Sequence, residues 1–131
     1  MSSRLKLEKV ECRVDGLVTL ATVQMSLAGK SHMGVATIRT TDIAWKYAVA
    51  EATIDSIRYF VDGKAAVILD SVTEITSGRY PIIVVTMTMD QGEGAEFLSG
   101  TSPIFEDRLV AVAKAVLHGL NRQITGLLPE S

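Results

Sequence analysis

The chain is poor in the residues that mark several protein classes. Its 131 residues include one cysteine, three prolines and 5% aromatic residues. A lone Cys12 excludes an internal disulfide framework and is typical of a reducing compartment. No apolar run approaches the roughly 18 residues that a membrane span needs, and the start Met1-Ser2-Ser3-Arg4 lacks the apolar core of a signal peptide. We therefore predict a cytoplasmic protein that does not interact with membranes.

A large excess of charge of one sign is also absent. Thirteen Lys and Arg residues face fifteen Asp and Glu residues, for a net charge of −2. The chain therefore lacks the basic footprint of a nucleic-acid-binding protein. Its 47% apolar and 21% charged residues are typical of a globular protein. This length predicts a single domain over 1–131.

The second half of the chain repeats the first. Ala48–Ile57 aligns with Ala111–Leu120 at a shift of 63 residues. Strand-like segments align at a shift of 62, namely Leu7–Val10 with Leu69–Val72 and Val23–Leu27 with Val85–Met89. Two copies indicate a doubled domain and not a solenoid, with repeats at about 5–63 and 64–126. Because each half is marginal in size for independent stability, we expect the halves to share one core.

Three strand patterns precede a helix pattern in each repeat. Leu17–Leu27 alternates between an apolar face and one that becomes polar, which predicts a strand. The phase of the apolar residues slips between Leu7 and Val10, which indicates a bulge. Asp15-Gly16 predicts a hairpin turn with positive φ at both central positions. The sequence thus predicts an α+β fold of tandem duplicated β-β-β-α units, with an antiparallel sheet and two helices on one face.

Each helix pattern carries one apolar stripe. The stripe residues are Ile43, Tyr47, Ala50, Ile54, Ile57 and Val61 in the first helix, and Leu109, Ala113, Val116, Leu120 and Ile124 in the second. Polar residues such as Thr53 occupy other faces, so we expect each helix to lie on a sheet without being enclosed. Asp62-Gly63 predicts a left-handed end to the first helix. Thr40–Asp42 and Ser102-Pro103 are the predicted caps of the two helix starts.

Two segments of the second repeat resemble a known family. Leu69–Gly78 is similar to the link between the repeats of the C-terminal regulatory domain of 2-isopropylmalate synthase and the related citramalate synthases. Gly100–Asp107, followed by Ala113–Arg122, resembles the closing helix of that domain. The resemblance covers about residues 5–125 and implies a doubled β-β-β-α unit that dimerises and binds a branched amino acid as a feedback inhibitor. Without the catalytic barrel of those enzymes, it implies a stand-alone regulatory module.

Residues with catalytic chemistry are few and scattered. His32 and His118 have no acidic residue nearby at metal-ligand spacing, so we predict no metal site and no cofactor. Cys12 alternates with apolar residues, as a buried small hydrophobe does. No serine lies in the strand–turn–helix setting of a nucleophile elbow. We therefore predict no catalytic residues.

The two predicted helix starts are the candidate ligand-binding sites, because unpaired N–H groups and hydroxyls meet there. The candidate residues are Thr40, Thr41 and Asp42 in the first repeat, and Gly100, Thr101 and Ser102 in the second. Trp45 lies off the apolar stripe and is a candidate for contact with a partner. Four uncharged residues on outward strand positions, Thr22, Gln24, Thr86 and Thr88, are the other candidates for a partner interface.

These observations favour a non-catalytic regulatory or assembly module that forms a homodimer and binds a small metabolite or a partner enzyme. The alternative is a small hotdog-like enzyme acting on acyl thioesters, which has a similar length and also packs a helix on a sheet. A hotdog fold wraps one sheet around one long central helix, whereas this sequence predicts two equivalent helices.

Overall fold

The computed structural model describes residues 4–129 and confirms the predicted fold class. Two β-β-β-α units follow each other along the chain, and a short 3₁₀ turn follows the second helix. The elements of the first unit are β1 (Lys6–Asp15), β2 (Val18–Leu27), β3 (Lys30–Arg39) and α1 (Ala44–Val61). Those of the second unit are β4 (Ala66–Ser77), β5 (Tyr80–Asp90), β6 (Ala95–Pro103) and α2 (Arg108–Ile124). The first three residues, cited above for their polar character, lie outside the described residues.

The strands form two separate three-stranded antiparallel sheets, which we call sheet A (β1-β2-β3) and sheet B (β4-β5-β6). The middle strands β2 and β5 each bury every second residue, as their alternating sequences predict. The buried apolar residues of both middle strands belong to one hydrophobic cluster that also contains residues of both helices. The two units therefore share a core.

The turn of the first hairpin lies one residue later than the sequence predicts. Asp15 pairs with Val18, so Gly16 and Leu17 are the central residues, and of these only Gly16 has positive φ, at 63°. Positive φ at the first central position alone is the type II′ pattern, not the predicted type I′. The equivalent turn of the second unit has Gly78 at the same place, with φ 62°.

The predicted bulge is present in both units. The register of β1 against β2 shifts between Leu7 and Lys9, and that of β4 against β5 shifts between Leu69 and Ser71. Each bulge contains a carboxylate that accepts a hydrogen bond from a hydroxyl of the middle strand. Ser26 donates to Glu8, and Thr88 donates to Asp70 over 2.8 Å. The duplication therefore extends to individual side-chain contacts.

Each helix packs directly onto a glycine of its edge strand. A Cβ atom at Gly34 would lie 2.1 Å from the carbonyl oxygen of Ala52, and one at Gly100 would lie 2.0 Å from that of Ala115. Next to each glycine, a helix side chain reaches the backbone of the same strand. Val35 N–H donates to Asp55 Oδ2 over 2.9 Å in α1, and Thr101 N–H donates to His118 Nδ1 over 3.0 Å in α2.

The helices are more enclosed than their apolar stripes predict. α1 contacts α2, the strands β2 and β3 of its own sheet, and β4 of sheet B, while α2 likewise contacts β1 of sheet A. Thr53, placed on a solvent face by the sequence, is fully buried and donates its hydroxyl proton to the carbonyl oxygen of Val49. Alanines at 48, 50 and 52 allow this close approach from several sides because they carry little side-chain volume. A hotdog arrangement, with one sheet around one helix, is not found in residues 4–129.

The helix ends match the sequence predictions only in part. α1 ends as predicted, with Asp62 and Gly63 both in the left-handed region. The residue before its first turn is Ile43, which has no side-chain cap and is 51% exposed instead of lying in the core. The predicted start of α2 at Ser102-Pro103 is wrong, because both residues belong to β6. α2 begins at Arg108 and is capped by Asp107, whose carboxylate accepts from the N–H groups of Leu109 and Val110.

Candidate functional site

The structure uses the candidate residues of the first repeat to join a loop to a hairpin. Thr40 N–H donates to the carbonyl oxygen of Leu17 over 2.8 Å, and its hydroxyl lies 3.0 Å from that of Thr19. The carbonyl oxygen of Thr41 accepts from the N–H of Ala44, while Thr41 and Asp42 are exposed. The predicted capping of α1 by these side chains is therefore not observed, and Thr40 instead fixes the chain before the helix.

The candidate residues of the second repeat lie within β6 and not at a helix start. Gly100 is buried under α2, and Thr101 donates its N–H to His118. Ser102 is 7% exposed and donates its hydroxyl to the carbonyl oxygen of Pro103 over 3.2 Å. The premise that these three residues surround free helix N–H groups is thus wrong, because the extended segment continues to Pro103 and the helix starts five residues later.

A cavity of about 510 Å³ nevertheless lies between the end of β6 and the first turns of α2. Its lining combines apolar side chains with groups of both charges: Ser102, Pro103, Phe105, Glu106, Asp107, Val110, Ala111 and Lys114. Of the three predicted candidates in this repeat, Ser102 is part of that lining. Phe105 is 76% exposed and makes an edge contact with Tyr80, with ring centroids 6.4 Å apart.

The candidate interface residues fall in three different places. Trp45 is half-buried and packs against the hydrophobic core, so its position off the stripe does not make it a free surface residue. Thr22 and Gln24 lie on the outer face of sheet A. Thr86 and Thr88 lie on the outer face of sheet B. The two pairs therefore belong to different sheets.

The outer face of sheet B has an unusual composition. Four neighbouring rows of cross-strand partners form most of it, each with one residue from β4, β5 and β6. The rows are Ile75–Ile82–Pro103, Thr73–Val84–Thr101, Ser71–Thr86–Ser99 and Ile68–Thr88–Phe97. None of these twelve positions carries a charge, and the two outer rows are largely apolar, with Ile68 63% and Phe97 68% exposed. The next row, Ala66–Asp90–Ala95, adds the exposed carboxylate of Asp90. Asp70 reaches this face from the bulge, where Thr88 binds it.

The outer face of sheet A differs in charge. Along β1, this face contains Lys9, Glu11 and Arg13, which lie opposite Gln24, Thr22 and Leu20 of β2. Lys9 and Glu11 form an ion pair at 2.9 Å, with both side chains more than half exposed. Charges of both signs along an edge strand are typical of a solvated surface that resists pairing with another sheet.

Other side chains that could react or bind a ligand are held in structural contacts. The rings of His32 and Tyr59 stack with centroids 4.1 Å apart. Burial raises the pKa of the Cys12 thiol, which favours its protonated and less nucleophilic form. Over residues 4–129, no group of three or more His, Cys, Asp or Glu side chains could hold a metal ion. No helix in that range is long and apolar enough to cross a membrane.

The sequence did not reveal two of these features. The uncharged rows of sheet B combine residues from three strands, and their common face depends on both registers and on the bulge. The cavity near Ser102 depends on where α2 begins, which the sequence misplaced. Asp107, followed by the apolar pair Leu109-Val110, was the signal that could have placed that start correctly.

Comparison with known proteins finds no family model and no curated protein that matches this chain.

Proposed function

We propose that this protein is a non-catalytic regulatory or assembly module that forms a homodimer through the outer face of sheet B and responds to a small metabolite. Its β-β-β-α duplication is what the resemblance to the 2-isopropylmalate synthase regulatory domain implies. Several side chains that could take part in catalysis instead stabilise the fold. Thr40 joins a loop to a hairpin, and Asp107 caps a helix. Asp55 and His118 each accept a hydrogen bond from a strand N–H group.

The four uncharged rows on the outer face of sheet B are the observation that carries the dimer. A surface with apolar residues in its outer rows and hydroxyl residues between them suits packing against an identical sheet. Two sheets pack about 10 Å apart, and the twelve positions of these rows bring no charged side chain into the interface. The carboxylates of Asp70 and Asp90, beside the Ile68–Thr88–Phe97 row, would lie at its rim. A two-fold axis near Thr86 would place each apolar end of one copy against an apolar end of the other.

A dimer could also form through the outer face of sheet A, but it would bring the charged side chains of β1 into the interface.

The cavity near Ser102 is the proposed metabolite site. Glu106 and the Oδ2 atom of Asp107, since the helix cap uses Oδ1, would attract an ammonium group. Lys114 would attract a carboxylate, and Phe105 and Val110 would contact an apolar side chain. A branched amino acid has all three features. This site keeps Ser102 from the sequence-based candidates and leaves out Thr40–Asp42, because Thr40 is bonded to the first hairpin and Thr41 and Asp42 lie exposed beside it.

The dimer is tested by light scattering over a range of protein concentrations. We expect twice the mass of one chain for the parent protein. Thr86→Arg should give the monomer mass, because it places a charge at the centre of the proposed interface. Thr22→Arg, at a middle-strand position of sheet A, is the matched control and should remain dimeric. A parent that stays monomeric at all concentrations, or a control that dissociates equally, would refute this interface.

The metabolite site is tested by thermal shift, since a ligand selective for the native state raises the melting temperature. Leucine, isoleucine and valine should raise it for the parent and not for Lys114→Ala. Acyl-CoA thioesters in the same screen address the enzymatic alternative. If acyl-CoAs stabilise the protein and branched amino acids do not, the sensor proposal fails.

A further inference from the structure

We propose a second ligand site, for a small organic anion with a short apolar chain, in a cavity at the carboxyl end of α2. This cavity has a volume of about 650 Å³, within the range of small-molecule sites. It lies between the second half of α2, the strand β6, the first described residues and the tail. Its lining residues are Arg4, Leu5, Leu98, Ser99, His118, Gly119, Asn121, Arg122, Gln123, Thr125 and Leu128. This site is distinct from the metabolite cavity near Ser102 and does not depend on it.

The charge of the lining selects an anion. Two arginines, Arg4 and Arg122, line the cavity, and no Asp or Glu within residues 4–129 does, although acidic residues outnumber basic ones in the chain. Neither arginine forms an ion pair with another described residue, in contrast to Arg108, which pairs with Glu74 at 3.8 Å. Guanidinium groups bind carboxylates and phosphates through two parallel N–H donors. Among residues 4–129, the lining therefore carries two positive charges and no negative one.

His118 adds a hydrogen-bond donor, the Nε2–H group of its ring. Its Nδ1 accepts the N–H of Thr101 over 3.0 Å, so the neutral ring carries its proton on Nε2. This side chain is exposed and lines the cavity, which leaves the Nε2–H group available to an acceptor. The equivalent residue of the first unit, Asp55, accepts the corresponding strand N–H but carries no donor. The second unit alone thus combines the strand contact with a ligand-facing donor.

The apolar part of the lining selects the rest of the ligand. Leu5 and Leu98 are buried to more than nine-tenths, and Leu128 packs against the core at the other end. Together with Gly119, whose lack of a side chain lets α2 lie directly against Ser99 and Gly100 of β6, they form an apolar wall next to the polar groups. A short alkyl chain would remove this wall from water while its anionic group meets the arginines. Fatty-acid-like carboxylates and alkyl phosphates share this chemistry.

The experiment uses hexanoate, hexyl phosphate, inorganic phosphate and hexanol as probes, followed by two-dimensional amide NMR of the full chain. We expect the first two probes to saturate and to shift the signals of Ser99, His118 and Gly119. Hexanol, which lacks the charge, and inorganic phosphate, which lacks the chain, should bind much more weakly. Preference of hexyl phosphate over hexanoate, or the reverse, would identify the anionic group.

Variants separate the site from general charge effects. Arg122→Gln should weaken binding of the preferred probe by about tenfold, as expected for loss of one charge-assisted contact. Arg108→Gln removes the same charge outside the cavity and should leave the affinity unchanged. His118→Gln should weaken binding less, with the amide spectrum showing that the fold is intact. Equal affinities for hexanol and hexanoate, or an Arg122→Gln variant that binds like the parent, would overturn the proposal.

Discussion

The close approach of each helix to an edge-strand glycine leads to a sharp prediction for Gly34→Ala and Gly100→Ala. The added Cβ atoms would lie 2.0–2.1 Å from a helix carbonyl oxygen and 2.4 Å from a helix nitrogen. These are backbone atoms, which cannot rotate away as a flexible side chain can. The helix must therefore move off the strand by more than an ångström, which also strains the bonds of Asp55 and His118 to the strand.

The expected size of the effect follows from three contributions. Overpacking costs about 1–3 kcal/mol, and contact with rigid backbone puts this case near the upper end. Replacing glycine with alanine reduces the entropy of the unfolded chain, which offsets about 0.4–1 kcal/mol. Neither glycine has positive φ, so backbone strain does not contribute. We expect each variant to lose about 2–2.6 kcal/mol of unfolding free energy, or roughly 7–10 °C in melting temperature.

Urea and thermal denaturation followed by circular dichroism measure both quantities. Gly126→Ala is the matched control, because a Cβ at Gly126 meets nothing within 4 Å, and it should change stability by less than about 0.5 kcal/mol. If Gly34→Ala and Gly100→Ala are as stable as the parent, the packing described here is wrong. If only one of them is destabilised, the two units are not equivalent.

The remaining predictions concern the core, one helix cap and the cysteine. Ile54→Ala and Leu117→Ala, at equivalent helix positions with 0% and 9% exposure, should each cost about 2–5 kcal/mol in urea denaturation, and a near-neutral result for one would contradict their equivalence. Asp107→Ala should lower the free energy of unfolding by about 1 kcal/mol, because it removes the cap of α2. Asp42→Ala, at the uncapped start of α1, should lower it much less. Equal losses for the two variants would contradict the assignment of the caps. Cys12 should react with iodoacetamide more slowly than free cysteine at the same pH, because burial raises its pKa. Unfolding in urea should abolish this difference. If Cys12 of the folded protein reacts as fast as free cysteine, the thiol is not protected.

The order of elements was predictable because local patterns encode it. The alternation in Val18–Leu27 and the period of the helix stripes each require only neighbouring residues. The bulge was visible as a phase slip, and Asp62-Gly63 marked the end of α1 through the left-handed conformation that glycine favours. Repetition strengthened each inference, since a weak signal in one half recurred in the other.

The features that the sequence left open depend on tertiary contacts. Thr53 reads as a solvent-facing residue from helix periodicity, but it is buried, because alanines around it let other elements approach. Ser102-Pro103 reads as a helix start, but these residues extend β6, where they pair with Ile83 and Ile82 of β5. The chain forms two sheets because, among the described residues, no strand of the first unit pairs with a strand of the second. This tertiary property also places Thr22 and Thr86 on different sheets. None of these is a property of a short window of sequence.

The homodimer is the central claim, and the change of amide NMR signals on dilution tests it most directly. Dissociation of the dimer should shift the signals of the outer face of sheet B, with the largest changes near Thr86 and Phe97. Signals of the outer face of sheet A, including Thr22 and Gln24, should stay constant. Changes confined to sheet A, or a spectrum that is independent of concentration with the tumbling time of a monomer, would contradict the account.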